Sequence, residues 1–354
     1  MPKMGVLTFH SCINYGSFWQ AYCLVHGLRL FGANAWILDH RCERVRRAEL
    51  RCALQPYRPI KSLPSDLPAY GAKVRKFARA LDCLPLTTPF LLDEPQDLEA
   101  FDTIIVGSDE VWNLRHPWYG GCPIFYGDGL AARRITSYAA TFGSHPSDCG
   151  IGSRWALRLK KFDAISVRDE NSRSILERYV GREAAIVLDP CLLFPEVIAR
   201  IDGARAAMRY AVVYGHSFPR WFQCGVRDWA NARAYKLVSV GYRNDWADEH
   251  WLDADPFEFA NCMAYASAVA TNFFHGCVFA LLNARPFACV LSDYRHNKIR
   301  DLTTLLGVEE RIVSSRTLPT QYEAILDLPL GQAVSDRLRE LRQQSWKYLG
   351  NVVQ

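Results

Sequence analysis

One histidine stands where a buried strand is expected to meet a buried helix. Residues 268–271 predict the strand and residues 277–282 the helix, so His275 and Gly276 fall in the connection between them. In open parallel α/β sheets, ligands bind at the carboxyl ends of strands, beside helix N-termini that favour anions. A histidine at this position predicts either a ligand for an anion or a group that moves a proton.

Two further basic side chains follow predicted strands. Arg168 comes directly after the stretch 164–167, where a guanidinium needs either a neighbouring carboxylate or an anionic ligand that its planar donor fork fits. Lys298 lies after the strand predicted over residues 287–290, either as a phosphate ligand or as a solvated residue at a helix start. Asp169 is predicted to cap the helix that follows Arg168.

The segment after the first predicted strand, residues 14–17, contains amide and hydroxyl groups that could bind a ligand. Asn14, Tyr15 and Gly16 are predicted to form a loop, either a plain connection or a surface whose backbone N–H groups and Asn14 amide face a ligand. Ser17 is predicted to cap the first helix.

A second segment of this kind, residues 106–113, adds carboxylates. Gly107 would let the backbone approach a ligand closely, with Ser108 beside it. Asp109 and Glu110 are adjacent, so their side chains point to opposite sides of an extended chain. We expect one of them to cap the next helix and the other to face a ligand.

Strands and helices alternate along the chain, which predicts an α/β fold with parallel sheets covered by helices. At 354 residues the chain is long for one core, so we expect two domains that face a cleft. The expected ranges are an N-terminal domain at 1–195, a connection at 194–207, a C-terminal domain at 205–330 and a closing helix at 333–350. Asp255 followed by Pro256 predicts a helix start, with the helix running to residue 265.

Composition and charge exclude several classes of protein. No apolar run reaches 18 residues and no leader carries a cleavage site, so neither a membrane span nor a signal peptide is expected. Twelve cysteines without a Cys-x-x-Cys pair indicate reduced thiols and a cytoplasmic location. A net charge of +5 is too small and dispersed for nucleic-acid binding. Basic clusters at 41–51 and 73–79 indicate solvated helix faces, or else peripheral contact at the inner face of the membrane.

Several motifs of well-known chemistry are missing from the sequence. It contains no Gly-x-x-x-x-Gly-Lys-Ser/Thr loop, no Gly-x-Gly-x-x-Gly after a strand, no His-Glu-x-x-His and no Gly-x-Ser-x-Gly. ATP hydrolysis, nicotinamide chemistry and zinc hydrolysis are therefore disfavoured.

In their order and spacing, several segments resemble the polysaccharide pyruvyl transferase family. The chain departs from that pattern at Glu110, where the family often has Gln, and at Asn272 and Phe273, where it commonly has Asp and Ser. The segments that carry the resemblance are residues 14–16 with 20–22, 106–113, 137–143, 166–169, 188–190, 274–276 and 298–299.

The resemblance implies a GT-B-like fold of two Rossmann-like domains, with the acceptor on the N-terminal side and the donor on the C-terminal side. It implies transfer of pyruvate from phosphoenolpyruvate to a sugar of a polysaccharide or lipid-linked glycan precursor, as a cyclic ketal. Arg168, His275 and Lys298 match the family's essential basic positions, and neither a cofactor nor a metal ion is expected. With Arg168, His275 and Asp109 as catalytic candidates, the substrate-binding candidates are Lys298, Asn14, Tyr15, Gly16, Gly107, Ser108, Glu110 and Gly276.

Phosphoenolpyruvate carries a phosphate and a carboxylate on a small frame, so its site needs several cationic or N–H donors at close range. Arg168 suits either anion, and Lys298 suits the phosphate. Two roles fit His275: proton transfer, or stabilisation of the departing phosphate. Either Asp109 or Glu110 would accept the proton of the sugar hydroxyl.

Three other functions stay open on the sequence alone. The first is a GT-B glycosyltransferase that uses a nucleotide sugar. The second is a pyruvyl-type transferase with a non-sugar acceptor, and the third is a non-catalytic protein that binds a glycan or a partner. The ligand that raises the melting temperature, phosphoenolpyruvate or a nucleotide sugar, distinguishes the first of these from the leading hypothesis.

Overall fold

Strands and helices alternate along the chain in a computed structural model that describes residues 1–57, 59–198 and 209–354. In chain order the strands are β1 (Lys3–Leu7), β2 (Asn34–Ile37), β3 (His40–Arg41), β4 (Phe90–Leu91), β5 (Phe101–Val106), β6 (Ala132–Ser137), β7 (Ser166–Val167), β8 (Ala185–Ile186), β9 (Tyr210–Tyr214), β10 (Lys236–Val240), β11 (Glu249–Trp251), β12 (Ala268–Thr271) and β13 (Phe287–Cys289). The helices are α1 (Tyr15–Leu30), α2 (Glu43–Leu54), α3 (Leu67–Leu81), α4 (Ser153–Leu159), α5 (Glu170–Ile175), α6 (Pro190–Leu193), α7 (Arg220–Ala232), α8 (Pro256–Tyr265), α9 (Phe274–Leu282), α10 (His296–Leu306), α11 (Pro319–Asp327) and α12 (Gln332–Val353).

The chain divides into two units. Unit 1 is Met1–Glu49, Leu81–Val197 and Leu338–Gln354, and unit 2 is Leu50–Ala80 and Ile198–Arg337. This division differs from the expected ranges, because a segment of the N-terminal half belongs to unit 2 and the end of the closing helix belongs to unit 1. Most of the expected connection at 194–207, and the start of the expected second domain, lie outside the described residues.

Unit 1 is built on a parallel sheet with the strand order β2-β1-β5-β6. β1 pairs with β2 and β5, and β5 pairs with β6, all in parallel. The central strands are apolar and almost wholly buried, as expected when helices cover both faces of a parallel sheet. Because the strands are parallel, their carboxyl ends meet at one edge of the sheet, and the polar segments after β1 and β5 lie there.

Unit 2 is built on a second parallel sheet with the order β11-β10-β9-β12-β13. All four neighbouring pairs are parallel, and β9 and β12 in the middle are buried along their whole length. α8 begins at Pro256, where Asp255 forms a capping box with Glu258, so the predicted helix start is confirmed.

The segment Leu50–Ala80 is attached to unit 2 by basic side chains of α3. Lys73 Nζ donates to the Gly241 carbonyl at 3.1 Å, and Lys76 Nζ lies 2.9 Å from both Asp253 and Glu258. The prediction of a solvated face at 73–79 is therefore wrong for Lys73, which is buried. Its partners follow more than 160 residues later, beyond the reach of any local pattern.

In α2, by contrast, Arg46 and Arg47 remain exposed and pair with Glu43 of the same helix. Ion pairs of this exposed kind contribute little to stability. No helix within the described ranges combines the length and the apolar character that a bilayer span requires.

Candidate active site

The residues predicted as the first loop belong to a helix. α1 begins at Tyr15, and the Asn14 side-chain oxygen accepts the backbone N–H groups of Gly16 at 2.9 Å and Ser17 at 3.2 Å. The cap of this helix is therefore Asn14, and the prediction of Ser17 as the cap is wrong. The helix starts earlier because the Asn14 amide satisfies its first N–H groups. Tyr15 and Gly16 lie buried in the first turn.

Asp109, after β5, is the centre of a buried polar cluster in unit 1. Its Oδ1 accepts a hydrogen bond from Arg168 Nη2 at 2.9 Å, and its Oδ2 accepts one from the Ser17 hydroxyl at 3.2 Å. Arg168 Nη1 donates to Asp189 Oδ2 at 2.8 Å. The cluster thus ties the first turn of α1 to the carboxyl ends of β5 and β7.

Arg168 lies between two carboxylates in this cluster. The Arg168 side chain is 1% exposed and lies against two carboxylates. Burial by itself lowers the pKa of the guanidinium, but the surrounding carboxylates, Asp109 and Asp189 foremost, raise it. Arg168 was predicted to need either a neighbouring carboxylate or an anionic ligand, and in the structure it pairs with carboxylates. Asp169 caps α5 as predicted, with its Oδ1 2.7 Å from the Ser172 backbone nitrogen.

Gly107 and Ser108 both make close contacts with other residues of unit 1. A Cβ on Gly107, which has φ +113°, would lie 2.4 Å from the Tyr138 carbonyl, so glycine is needed here for the neighbouring strand. The Ser108 hydroxyl donates to Gln20, and its carbonyl accepts from the Thr8 hydroxyl at 2.9 Å. Both residues therefore hold the end of β5 in position.

Glu110 is buried and does not cap a helix. The described chain between β5 and the short 3-10 turn Pro123–Tyr126 is irregular, so the prediction of a helix cap at Asp109 or Glu110 is wrong. Glu110 Oε2 instead accepts a hydrogen bond from Asn113 Nδ2 at 2.7 Å. The two adjacent carboxylates are thus engaged by different partners.

In unit 2, His275 lies in a helix and not in the predicted turn. α9 begins at Phe274, three residues earlier than predicted, so His275 and Gly276 form its first turn. The Thr271 hydroxyl donates to the Tyr214 carbonyl at 2.6 Å and accepts the Phe273 N–H at 3.0 Å. These bonds turn the chain immediately after β12 and start the helix there.

Gly276 permits the close approach of α9 to β12. A Cβ at this position would lie 2.1 Å from the Thr271 hydroxyl oxygen, so any other residue would push the helix outwards. His275 consequently stands at the carboxyl end of a central strand, beside a helix N-terminus that favours anions. Its side chain is mostly buried.

Lys298 lies on α10, which packs against α9. Its side chain is buried, with Nζ 5.9 Å from the centre of the Tyr294 ring. The structure therefore joins Arg168 and Asp109 directly in unit 1, and it carries His275 and Lys298 on neighbouring helices of unit 2.

Two features of unit 1 escaped prediction. Asp189, the second partner of Arg168, also caps α6 by accepting the Cys191 N–H at 3.0 Å. β7 and β8 pair in parallel, so an acid after β8 was the available signal for a partner of Arg168 after β7. Asp189 followed by Pro190 is in addition a local sign of a helix start.

The second unpredicted feature is a buried histidine pair after β1 and β2. His10 Nε2 lies 3.2 Å from Asp39, and His40 Nε2 lies 2.9 Å from the Thr8 carbonyl, to which it donates. Burial and then the neighbouring His10 lower the pKa of His40 to about 3. His40 is therefore neutral in the folded protein at neutral pH.

Comparison with solved structures shows the fold. A UDP-GlcNAc 2-epimerase from Methanocaldococcus jannaschii superposes with a TM-score of 0.51 at 11% identity, over 98% of this chain and 100% of that one. E. coli heptosyltransferase WaaC with ADP gives a TM-score of 0.45 at 10% identity, over 96% and 99%. The first likeness, together with the two parallel-sheet units, supports the predicted GT-B-like α/β fold.

Comparison of sequences identifies the family. Proteins of curated function give no significant match to the chain. The model of the family described as polysaccharide pyruvyl transferase matches residues 14–294, well over half of the chain. The chain therefore belongs to the polysaccharide pyruvyl transferase family.

Proposed function

We propose that this protein transfers pyruvate from phosphoenolpyruvate to a sugar of a polysaccharide or lipid-linked glycan precursor and forms a cyclic ketal. The family match carries the proposal, because the matched residues 14–294 include Asp109, Arg168 and His275. Lys298 follows just after the matched range. The proposal retains the predicted cytoplasmic location and requires no cofactor.

The donor is assigned to unit 2. A phosphate beside His275 would gain from the N-terminus of α9 and from the charge of Lys298 on the adjacent helix α10. Both side chains are mostly buried, where charge interactions are less screened by water. His275 would deliver the proton to the methylene carbon or stabilise the departing phosphate, and both roles use the same position.

The acceptor base is assigned to Asp109. One guanidinium between Asp109 and Asp189 leaves the cluster with a net charge of one negative unit, so it suits a proton acceptor better than a second anion. Asp109 is also the more accessible of the two carboxylates, with 11% of its side chain exposed against 1% for Asp189. Arg168 thereby becomes a positioning residue that fixes the orientation of Asp109. This assignment replaces the expectation that Arg168 binds the donor.

The chemistry balances with these groups. A proton adds to the methylene carbon of phosphoenolpyruvate, and a sugar hydroxyl oxygen bonds to the neighbouring carbon and releases its own proton to Asp109. The carbon–oxygen bond to phosphate then breaks, and the phosphate leaves with the electron pair. The second hydroxyl bonds to the same carbon and its proton passes to the departing phosphate, which completes the ketal and yields one inorganic phosphate.

Thermal denaturation tests which donor the protein binds. A ligand that binds only the folded state raises the melting temperature, and the rise grows as its free concentration exceeds its dissociation constant. Phosphoenolpyruvate is expected to raise it, and UDP-GlcNAc and ADP are expected to leave it unchanged. A shift with a nucleotide sugar and none with phosphoenolpyruvate would favour a glycosyltransferase instead.

A further inference from the structure

Phe273 and Arg295 form a stacked pair at the carboxyl edge of the unit 2 sheet. Phe273 follows β12, and Arg295 is the residue that precedes α10 in the segment after β13. The guanidinium carbon of Arg295 lies 4.3 Å from the centre of the Phe273 ring. This distance is well within the range of a cation–π interaction.

Aromatic rings hold Phe273 in place. Tyr214, His216 and Tyr242 contact it edge-on, with ring centres 5.0, 5.4 and 5.3 Å away and planes inclined by 82°, 88° and 89°. Tyr214 is the last residue of β9, His216 follows that strand and Tyr242 follows β10, so the cluster gathers the ends of three neighbouring strands. Phe273 is itself buried, and its ring is therefore a fixed platform for the guanidinium.

Asn272 fixes the same loop. Its Nδ2 donates to the His216 carbonyl at 2.7 Å, and a Cβ on Gly215 would lie 2.1 Å from its Oδ1. Asn272 and Phe273, two of the residues at which this chain departs from the family pattern, thus both contribute to the position of the aromatic platform.

The charge of Arg295 is not neutralised within the described part of the chain. Its guanidinium there lies over two rings, those of Phe273 and, at 5.7 Å, Tyr294. Arg227, Arg233 and Arg243 of the same unit each pair with a carboxylate. Burial, and next the charge of Arg295, lower the pKa of His216 to about 4, so the neighbouring histidine adds no charge at neutral pH.

Arg295 also lies beside a residue already assigned to the donor. Lys298 follows it by one helical turn, and both cations lie within 6 Å of the centre of the Tyr294 ring. A guanidinium that stacks by its face keeps its N–H edges available for two parallel hydrogen bonds to an oxyanion.

We propose that Arg295, seated on Phe273, is an oxyanion-binding residue of unit 2 and that its ligand is a phosphate group. For the donor this inference rests on the proposed function, in which that phosphate belongs to phosphoenolpyruvate. The stacking partner Phe273 sets the direction of the guanidinium, and Arg295 and Lys298 share the charge of the phosphate.

Calorimetric titration of the full chain at constant ionic strength tests this inference with phosphoenolpyruvate and with inorganic phosphate. Arg295→Ala is expected to raise both dissociation constants by about 10- to 100-fold, the scale of a lost hydrogen bond to a charged group. Phe273→Leu, which keeps an apolar side chain without a ring, is expected to raise them by about 3- to 10-fold. Arg300→Ala is the matched control, because Arg300 lies on the same helix with 58% of its side chain exposed, and it is expected to bind as the wild type.

The outcomes separate this inference from the proposed function. If the wild type binds phosphoenolpyruvate and Arg295→Ala binds it with the same dissociation constant, the inference is overturned and the donor assignment stays intact. Binding of inorganic phosphate alone, lost in Arg295→Ala, supports the inference and contradicts the donor assignment. A wild type that binds neither anion overturns the inference. Arg295→Lys keeps the charge without the planar fork, and a loss intermediate between wild type and Arg295→Ala supports the stacked geometry.

Discussion

Asp109 and Arg168 form a buried ion pair in which Oδ1 and Nη2 are 2.9 Å apart. The pair joins the segment after β5 to the end of β7, and the Ser17 hydroxyl holds the other carboxylate oxygen at 3.2 Å. A carboxylate fixed at both oxygens in this way has one orientation. Under the proposed function, this carboxylate is the base that accepts the proton of the acceptor hydroxyl.

Replacement of the proposed base is expected to remove most of the turnover. Asp109→Asn keeps the shape of the side chain but cannot accept the proton, so kcat should fall by about 10²- to 10⁴-fold. Steady-state phosphate release measures the change. Glu110→Gln is the matched control, since it preserves an acceptor for Asn113, and it should stay within about threefold of wild type on the same scale. An equal loss in both variants would contradict the choice of Asp109.

Arg168→Lys separates positioning from donor binding. Lysine keeps the positive charge between Asp109 and Asp189 but cannot reach both carboxylates with a planar fork. We expect kcat to fall by about 10-fold or more while KM for phosphoenolpyruvate changes by less than about threefold. A large rise in KM with an unchanged kcat would return Arg168 to the donor.

Lys298 is expected to affect the binding of the donor, phosphoenolpyruvate, and not that of the acceptor. Lys298→Ala removes a buried positive charge beside the proposed phosphate, so KM for phosphoenolpyruvate should rise by about 10-fold or more. The same substitution at exposed Arg300 should have no such effect. An unchanged KM together with a normal kcat in Lys298→Ala would exclude this role.

The buried His40 predicts a loss of stability in acid. Its pKa is about 3 in the fold, below the ordinary value of 6.5, so the unfolded chain takes up a proton first as pH falls below 6.5. The contribution of His40 is fully present above that pH and declines as the pH falls towards 3. Between pH 7 and pH 5 this single group should cost about 2 kcal/mol of unfolding free energy.

Urea denaturation at both pH values measures this loss in the wild type and in His40→Gln, which retains a donor for the Thr8 carbonyl. The variant should lose about 2 kcal/mol less than the wild type over the same interval. An identical acid dependence in the two proteins would show that His40 does not contribute in this way.

Local signals in the sequence sufficed wherever the structure depends on near neighbours. The start of α8 was predicted from Asp255 followed by Pro256, and in the structure Asp255 caps the helix there. The start of α9 was placed three residues late, because its cap residue is Phe273, whose side chain accepts no hydrogen bond. Thr271 fixes that start through the Tyr214 carbonyl, 57 residues away in the chain.

The candidate site residues show the same contrast between local signals and contacts that are distant in the chain. Arg168, Asp109, His275 and Lys298 were chosen as candidates because each follows a strand of a parallel sheet, where functional groups gather. The partners of Arg168 were not found, since Asp109 and Asp189 are 59 and 21 residues distant. Gly107 was interpreted as a place for a ligand, whereas it makes room for the Tyr138 carbonyl. Such contacts depend on which strands become neighbours, which the local pattern does not specify.

The most direct test is turnover by the purified protein. It would be incubated with phosphoenolpyruvate and a panel of free and lipid-linked glycans, with released phosphate and product mass measured together. We expect one phosphate per product molecule, a product heavier than its acceptor by the mass of pyruvic acid less one water, and loss of both signals in His275→Ala. Consumption of a nucleotide sugar with no phosphate released from phosphoenolpyruvate by any acceptor would contradict the proposed function.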